Sequence, residues 1–145
     1  MPTNLRLAPS TIMPTLRYHN APAAIEWLCQ VFGFERHAVY PGPEGTIAHA
    51  ELTLRGGMIM LGSHKHDGHG QGFRSLEEVG DYETRSAYVV VTEIDAVYER
   101  AKAAGGSVIR ELQGTDYGSR DFSIKDLEGH SWSVGTYDPW KTPSE

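Results

Sequence analysis

Two side chains suited to acid–base chemistry lie two residues apart in the segment 47–54, IAHAELTL: His49 and Glu51. In an extended strand, residues i and i+2 point to the same face, so this spacing brings an imidazole and a carboxylate to one surface. Such a pair can exchange a proton with a bound substrate and is therefore the candidate catalytic pair. The same pair also fits a structural hydrogen bond on a strand, or a metal site that takes a third ligand. The residues alone leave these readings open.

Two arginines, Arg17 and Arg120, lie in segments that have the composition of strands. A guanidinium group offers a planar fork of donors that matches a carboxylate or a phosphate of a ligand. A structural ion pair with Glu51 or Asp121 would occupy the same fork, because a buried arginine needs a partner in either case. Ligand binding and a structural ion pair are both compatible with the sequence.

A third group of chemically active side chains lies in the glycine-rich stretch HKHDGHG, which contains His64, His66, Asp67 and His69. These are ligand-type residues. A functional metal site also needs surrounding groups that orient its imidazoles, and glycine neighbours supply none. We therefore interpret this stretch as a linker that binds metal adventitiously.

The elements that must position these residues form an internal repeat with an offset of 73 residues. The segment YHNAPAAIEWLCQVFGF, from Tyr18, resembles VTEIDAVYERAKAAGGS, from Val91, and the same offset carries Gly62 onto Gly135. Each half shows a strand, then apolar residues at helical spacing, then three short strands separated by glycine-containing turns. The predicted helices cover about 21–32 and 94–104, and the predicted strands cover 12–18, 35–40, 47–54, 58–61, 86–91, 107–111, 121–124 and 131–135.

This order predicts an α+β fold of two tandem βαβββ modules whose mixed sheets curl into a cup. We expect a single domain with module one at 11–63, a linker at 64–83, module two at 84–138 and a tail at 139–145. Alternation in the strands predicts which side chains face away from the helices. Carried through both halves with the offset of 73, it assigns to this face Met13, Thr15, Arg17, Ile47, His49, Glu51, Thr53, Ser86, Tyr88, Val90, Arg120, Phe122, Ile124, Ser131 and Ser133.

If the two sheets curl toward each other, these side chains line one cup with apolar walls and a few polar groups, which is typical of a small-molecule site. Phe122 and Tyr88 fit either an aromatic wall or core packing. The candidate ligand-binding residues are Arg17, Met60, Tyr88, Tyr117, Arg120, Phe122 and Ser133.

Composition limits the function classes. The chain has 145 residues and a formal net charge of −6, and no basic stripe of the kind that binds phosphate backbones is visible, which argues against a nucleic-acid partner. No segment approaches the roughly 20 apolar residues of a membrane span, so we expect no membrane partner. Cys29 is the only cysteine and cannot form an internal disulfide, so we expect a cytoplasmic protein.

The paired pattern, opening with YHNAPAAIEWLCQVFGFE and closing with YGSRDFSIKDLEGHSWSVGTYD, resembles the glyoxalase/bleomycin resistance protein/dioxygenase superfamily, also called the vicinal-oxygen-chelate fold. The resemblance covers about residues 11–138. In the bleomycin-binding branch a tryptophan often precedes G-x-R, where this chain has Tyr117, so the resemblance implies either an aromatic platform for a flat ligand or simple turn packing at that residue. It also implies a homodimer, with Trp140 of the tail packed on the second subunit.

Metal-dependent members of that superfamily carry ligands on the first and last strand of each half. The resemblance places those positions at Met13, Met60, Ser86 and Ser133. Thioethers and hydroxyls are not the carboxylate or imidazole ligands that such divalent ions take. We therefore expect no cofactor and a metal-independent protein that binds a small antibiotic-like molecule or metabolite. The alternative is a lyase, isomerase or dioxygenase-type enzyme acting on a small oxygenated substrate through His49 and Glu51.

Overall fold

A computed structural model describes residues 10–64 and 74–141 of the chain. Each half contains one helix and four strands, in the predicted order. Module one consists of β1 (Thr15–Tyr18), α1 (Ala21–Phe32), β2 (Glu35–Pro41), β3 (Ile47–Leu54) and β4 (Gly57–Ser63). Module two consists of β5 (Ala87–Val90), α2 (Ile94–Ala103), β6 (Ser107–Gly114), β7 (Arg120–Lys125) and β8 (Ser131–Gly135). The predicted α+β fold of two βαβββ modules with mixed sheets is confirmed.

The first helix has start and stop signals that are readable in the sequence. The Asn20 side chain accepts a hydrogen bond from the Ala23 backbone N–H at 3.1 Å and so caps the N-terminus. Pro22 follows in the first turn, where its missing N–H costs no helical bond. Gly33 ends the helix at φ +90°, a left-handed conformation that suits glycine.

The two sheets have the same topology. In module one the strand order is β1-β4-β3-β2, and in module two it is β5-β8-β7-β6. The first strand of each module pairs in parallel with the last, and the other pairs are antiparallel. The helix supplies the crossover that a parallel pair requires.

Each sheet buries the face that carries its helix. In module one, Ala50, Leu52, Ile59 and Leu61 lie almost fully out of solvent. In module two the ring of Phe122 lies 4.8 Å from the ring of Tyr98 on α2, measured between centroids. The other face of each sheet is called here the open face.

The repeat keeps its offset of 73 residues in the parallel pairs but not throughout. Thr15 is opposite Met60 and Tyr88 is opposite Ser133, so β5 and β8 both follow the offset. In the neighbouring pair, Glu51 is opposite Met60, whereas Ser123 is opposite Ser133, so β7 is offset by 72 residues. The turn between β7 and β8 is therefore one residue longer than its counterpart between β3 and β4.

This one-residue slip overturns part of the predicted open face. Because side chains alternate along a strand, a shift of one residue moves every side chain of β7 to the other face. Asp121, Ser123 and Lys125 consequently share the open face with Ser133, and the placement of Arg120, Phe122 and Ile124 there is wrong.

By density of contacts the chain divides into two compact units, residues 1–82 and 83–145. Residues 65–73 of the predicted linker lie outside the described part of the chain, and the rest of it contains a short 3₁₀ helix, Glu77–Val79. Among the described residues, no helix is long and apolar enough to cross a membrane.

Candidate ligand-binding faces

The open face of module one collects chemically varied side chains on three adjacent strands. The register places Glu51 beside Met60 and Thr53 beside Met58. Arg17, on β1, lies opposite Gly62 and therefore on the same face as Met60. The predicted placement of Arg17, His49, Glu51 and Met60 on this face is confirmed, while their roles in binding or catalysis stay predictions.

His49 and Glu51 form a hydrogen-bonded pair on this face. Nε2 of His49 lies 2.9 Å from a carboxylate oxygen of Glu51. Nε2 of His37 lies 4.0 Å from the other oxygen of the same carboxylate. The Tyr40 ring stacks on the His49 ring with centroids 6.1 Å apart, because β2 pairs Tyr40 directly with His49. The arrangement can hold a proton between imidazole and carboxylate, in a half-exposed setting that a ligand can reach.

Glycine at position 62 makes room for Arg17. A Cβ placed at Gly62 would lie 3.0 Å from the carbonyl oxygen of Ala48 and 3.5 Å from a guanidinium nitrogen of Arg17. The guanidinium therefore lies close over the backbone of β4, beside the methionine side chains of the same face. This position gives the open face of module one a cationic group next to an apolar surface.

The open face of module two carries small hydroxyl groups and an ion pair. The hydroxyl oxygens of Ser123 and Ser133 lie 3.3 Å apart across the β7–β8 pair. Beside them, the Arg110 guanidinium donates to the Asp121 carboxylate at 2.5 Å. Ser133 thus lies on the open face as predicted, within a patch of small hydroxyl groups next to an ion pair.

Tyr88 lies across the last strand of module two. Its hydroxyl donates to the carbonyl oxygen of Tyr137 at 2.9 Å. A Cβ at Gly135 would lie 2.5 Å from that hydroxyl oxygen, so the ring occupies space that only glycine leaves empty. Burial raises the pKa of the Tyr88 hydroxyl above its ordinary value, and the Asp121 carboxylate nearby acts in the same direction. Tyr88 lies on the open face, as predicted.

Arg120 and Phe122 lie on the helix face, which corrects their predicted position. Both guanidinium NH2 groups of Arg120 donate to the Asp95 carboxylate of α2, at 2.9 and 3.0 Å. Phe122 has no exposed surface. Of the readings left open in the sequence, Arg120 has the structural ion pair, with Asp95 rather than Asp121, and Phe122 has core packing.

Tyr117 lies in the loop between β6 and β7, outside the sheet. Its ring contacts the Tyr137 ring edge-on, with centroids 5.5 Å apart and an interplanar angle of 77°. The Tyr117 side chain is exposed. Turn packing would bury the ring, so its exposure fits a platform for a ligand better.

The four positions that correspond to metal ligands in the superfamily do not fit a metal. Met60 lies on β4 and Ser133 on β8, both on open faces, and Met13 and Ser86 each precede the first strand of their module. Their thioethers and hydroxyls are poor donors for divalent zinc, manganese or iron. Within residues 10–64 and 74–141, no group of three or more His, Cys, Asp or Glu side chains could hold a metal ion.

The histidine-rich stretch is only partly described. His64 follows β4, and its ring lies 4.4 Å from the ring of His19, between centroids. His66, Asp67 and His69 lie outside the described residues. The predicted adventitious metal binding by this stretch stays a prediction.

Several residues of these faces were missed in the sequence. Tyr40 and His37 flank the His49–Glu51 pair. Alternation along β2 accounts for Tyr40, which pairs with His49, whereas His37 lies at the irregularity between Arg36 and Ala38, which alternation does not predict. Tyr137 follows Gly135 by two residues, so a period of two along GTYD indicates that it continues the open face of β8. Arg110 and Asp121 were missed because a constant offset of 73 assigns Asp121 to the wrong face.

Known protein families and structures were compared with this chain, and the matches cover both modules. Residues 11–134 match the sequence model of the Glyoxalase/Bleomycin resistance protein/Dioxygenase superfamily. An uncharacterised protein of Mycobacterium tuberculosis is 29% identical over 124 residues, which cover 86% of this chain and 72% of that protein. The name of that relative states no activity.

Solved structures show the same fold. TioX from Micromonospora sp. ML1 is 30% identical, with a TM-score of 0.66, and the match covers 87% of this chain and 97% of that one. The fosfomycin resistance protein FosX from Listeria monocytogenes has a TM-score of 0.67 over 90% of this chain and 94% of its own, but at 13% identity it shows the fold alone. With a family match over both modules and the predicted βαβββ order of elements in each, this chain belongs to the Glyoxalase/Bleomycin resistance protein/Dioxygenase superfamily.

Proposed function

We propose that this protein binds a small organic molecule, a metabolite or an antibiotic-like compound, on the open faces of its sheets and without a metal ion. The observation that carries the proposal is the surface of β4 in module one. There Met58 lies opposite Thr53 and Met60 lies opposite Glu51, both half-buried, and Arg17 lies over Gly62. Apolar surface with a few well-placed polar groups is typical of small-molecule sites.

The side chains on this surface suit binding better than metal chemistry. Methionine is flexible and polarisable, so two neighbouring thioethers adapt to varied apolar shapes. The Arg17 guanidinium can orient a carboxylate or another acceptor of the ligand. Ser133, at the position of Met60 in module two, presents a hydroxyl that can donate or accept but would not hold a divalent ion.

A ligand screen on metal-stripped protein tests this proposal. We would follow thermal unfolding and ligand-detected NMR against a library of metabolites and antibiotics, in the presence of a chelator. A true ligand should saturate and should bind at least about tenfold more weakly to Arg17→Ala or Met60→Ala protein. Arg36→Ala is the matched control, because Arg36 pairs with Glu26 of α1 on the surface.

Absence of any saturable ligand from the screen would contradict the proposal. So would a ligand whose affinity is the same for the Arg17 and Met60 variants as for the Arg36 control. Both outcomes can be interpreted only if the variants unfold at temperatures close to that of the parent protein. The same thermal measurement gives these unfolding temperatures.

A second candidate function is favoured by the His49–Glu51 hydrogen bond. We infer that, if the protein is an enzyme, it is a lyase, isomerase or dioxygenase-type enzyme that moves a proton on a small oxygenated substrate with this pair. Its rate should then follow a bell-shaped pH profile, and His49→Gln or Glu51→Gln should lower kcat by about 10²- to 10⁴-fold. His37→Gln is the control, since His37 contacts the carboxylate only at 4.0 Å.

We also propose that the protein is a cytoplasmic homodimer that binds neither nucleic acid nor a membrane. Trp140 is 81% exposed in the single chain, which suits a residue that packs on a second subunit. Sedimentation of the parent protein should give a dimer, and Trp140→Ser should weaken it. A monomer at micromolar concentration would contradict this assignment.

A further inference from the structure

Three tyrosine side chains meet at one end of module two. Tyr88 comes from β5, Tyr117 from the loop after β6, and Tyr137 from the segment after β8. The rings of Tyr117 and Tyr137 contact each other with centroids 5.5 Å apart. The Tyr88 hydroxyl donates to the Tyr137 carbonyl oxygen at 2.9 Å, which ties the third ring to the same segment. These three residues are called the tyrosine cluster.

The tyrosine cluster stays in solvent although module two has an apolar core. Tyr88, Tyr117 and Tyr137 are 42%, 66% and 48% exposed, whereas Phe122 and Trp132 of the same module are almost fully buried. Burial of an aromatic ring is favourable, so rings that are held together by contacts and remain exposed require another explanation. Grouped exposed aromatic residues mark surfaces that bind ligands or proteins.

The charges around the tyrosine cluster are mainly negative. Asp121 and Asp138 are close enough to the Tyr88 hydroxyl to contribute to its raised pKa, after burial itself. Asp116 directly precedes Tyr117 and is exposed. Because carboxylates and the faces of aromatic rings are both electron-rich, this combination attracts cations.

The arginines of the neighbouring strands form ion pairs, and Arg110 cancels the charge of Asp121, so the attraction is assigned to Asp116 and Asp138. Arg110 is engaged by Asp121 and Arg120 by Asp95, so each guanidinium already has a carboxylate partner. An anionic ligand that bound either arginine would have to displace an existing ion pair, whereas a cation would not.

We propose that the tyrosine cluster binds an organic cation of the quaternary-ammonium class through cation–π contacts with Tyr117 and Tyr137. The trimethylammonium group contacts the ring faces, and the carboxylates of Asp116 and Asp138 supply longer-range attraction. Tyr88 positions Tyr137 through its hydrogen bond to the backbone. This inference names a ligand class for the proposed small-molecule binding and rests on that function.

Choline and its uncharged isostere 3,3-dimethylbutan-1-ol test the charge requirement directly. The two have the same shape, so any difference in affinity reports the positive charge. We expect saturable binding of choline, followed by NMR shifts of tyrosine ring signals, and at least about tenfold weaker binding of the alcohol. Tyr117→Leu and Tyr137→Leu should each weaken choline binding by about 2- to 30-fold. Tyr117→Phe should retain most of it, because the ring face is kept.

Tyr82→Leu is the matched control, since Tyr82 is exposed and lies before module two. Equal binding of choline and the alcohol overturns the cation class but leaves small-molecule binding intact. If choline shifts no ring signal of the tyrosine cluster while a ligand from the library screen still binds the protein, the inference is wrong but the proposed function stands. Failure of both the screen and choline removes the inference together with the proposed function.

Discussion

Arg120, at the start of β7, makes a two-pronged ion pair with Asp95 in the first turn of α2. The pair joins the helix of module two to its own sheet. Both partners are on the surface, so their direct contribution to stability is small. The pair is consistent with the register of β7, in which Arg120 and Phe122 lie on the helix face and Asp121 and Ser123 lie on the open face.

The Asp95–Arg120 pair predicts a weak acid dependence of stability. The two hydrogen bonds from Arg120 hold the pKa of the Asp95 carboxyl below its usual value. A carboxyl group with a lowered pKa in the folded state stabilises the fold above its ordinary pKa, about 4, and loses that contribution as the pH falls through its folded-state pKa. Urea unfolding between neutral pH and about pH 3 should therefore show a slightly smaller loss for Asp95→Asn than for the parent.

The matched control for that measurement is Asp116→Asn, an exposed aspartate in the β6–β7 loop of the same module. A double variant with Asp95→Asn and Arg120→Gln should lose less stability than the sum of the losses of the two single variants, because each single change already breaks the same pair. A pH dependence that is identical in the parent and in Asp95→Asn would show that the pair carries no linkage.

Phe122 should behave as a core residue and not as a binding residue. Truncation of a fully buried phenylalanine removes apolar burial and leaves a cavity against Tyr98, so Phe122→Ala should cost about 3–5 kcal/mol in the free energy of unfolding. Ile109→Ala, on the exposed side of β6, should cost much less. Chemical denaturation measures both, and a loss below about 1 kcal/mol for Phe122→Ala would contradict its placement.

Asp126 should be the most sensitive position of the β7–β8 turn. Its buried carboxylate accepts hydrogen bonds from the indole N–H of Trp132 at 3.0 Å and from the backbone N–H groups of Glu128 and His130. Asp126→Ala leaves these donors without their acceptor, which should cost about 3 kcal/mol in unfolding free energy. Trp132→Phe also removes the indole donor, but its cost includes the cavity that the smaller ring leaves in the core. An unchanged denaturation midpoint for Asp126→Ala would contradict this reading of the turn.

Gly135 should be required for the position of Tyr88. A methyl group there would collide with the Tyr88 hydroxyl and lie 3.0 Å from Cβ of Asp121, so Gly135→Ala should destabilise the fold by about 1–3 kcal/mol and free the tyrosine hydroxyl. Gly114→Ala is the matched control, because its nearest neighbour would be 3.9 Å away. Alkaline titration of tyrosine absorbance should show a lower pKa for Tyr88 in Gly135→Ala, and an unaltered titration would contradict the packing.

Much of the fold could be predicted from local patterns. The helix 21–32 was predicted because its apolar residues recur at helical spacing and Pro22 lies near its start, and the structure adds the Asn20 cap. The strands 47–54 and 131–135 were readable because they alternate between apolar and polar residues and end at glycine-containing turns. These signals extend over only a few residues, and the same kinds of signal occur in both halves of the repeat.

The open face of module two could not be predicted in full, because register depends on the length of a turn. The turn between β7 and β8 contains one residue more than the matching turn of module one. When the two halves of the sequence are aligned at a constant offset of 73, this extra residue does not show. Phe122 fits an aromatic wall and a core equally well by type alone. Only the pairing of Ser123 with Ser133 decides between them, and that pairing is tertiary information.

Metal-independent binding is tested by the affinity of a screened ligand for fully metal-stripped protein. Isothermal titration, with metal content verified by elemental analysis, would compare the stripped protein with the same protein after addition of zinc, nickel, manganese or iron. Metal-independent binding on the open faces predicts the same Kd in every sample and weaker binding in Met60→Ala. Binding that appears only after one metal is restored, at about one equivalent per chain, would contradict it.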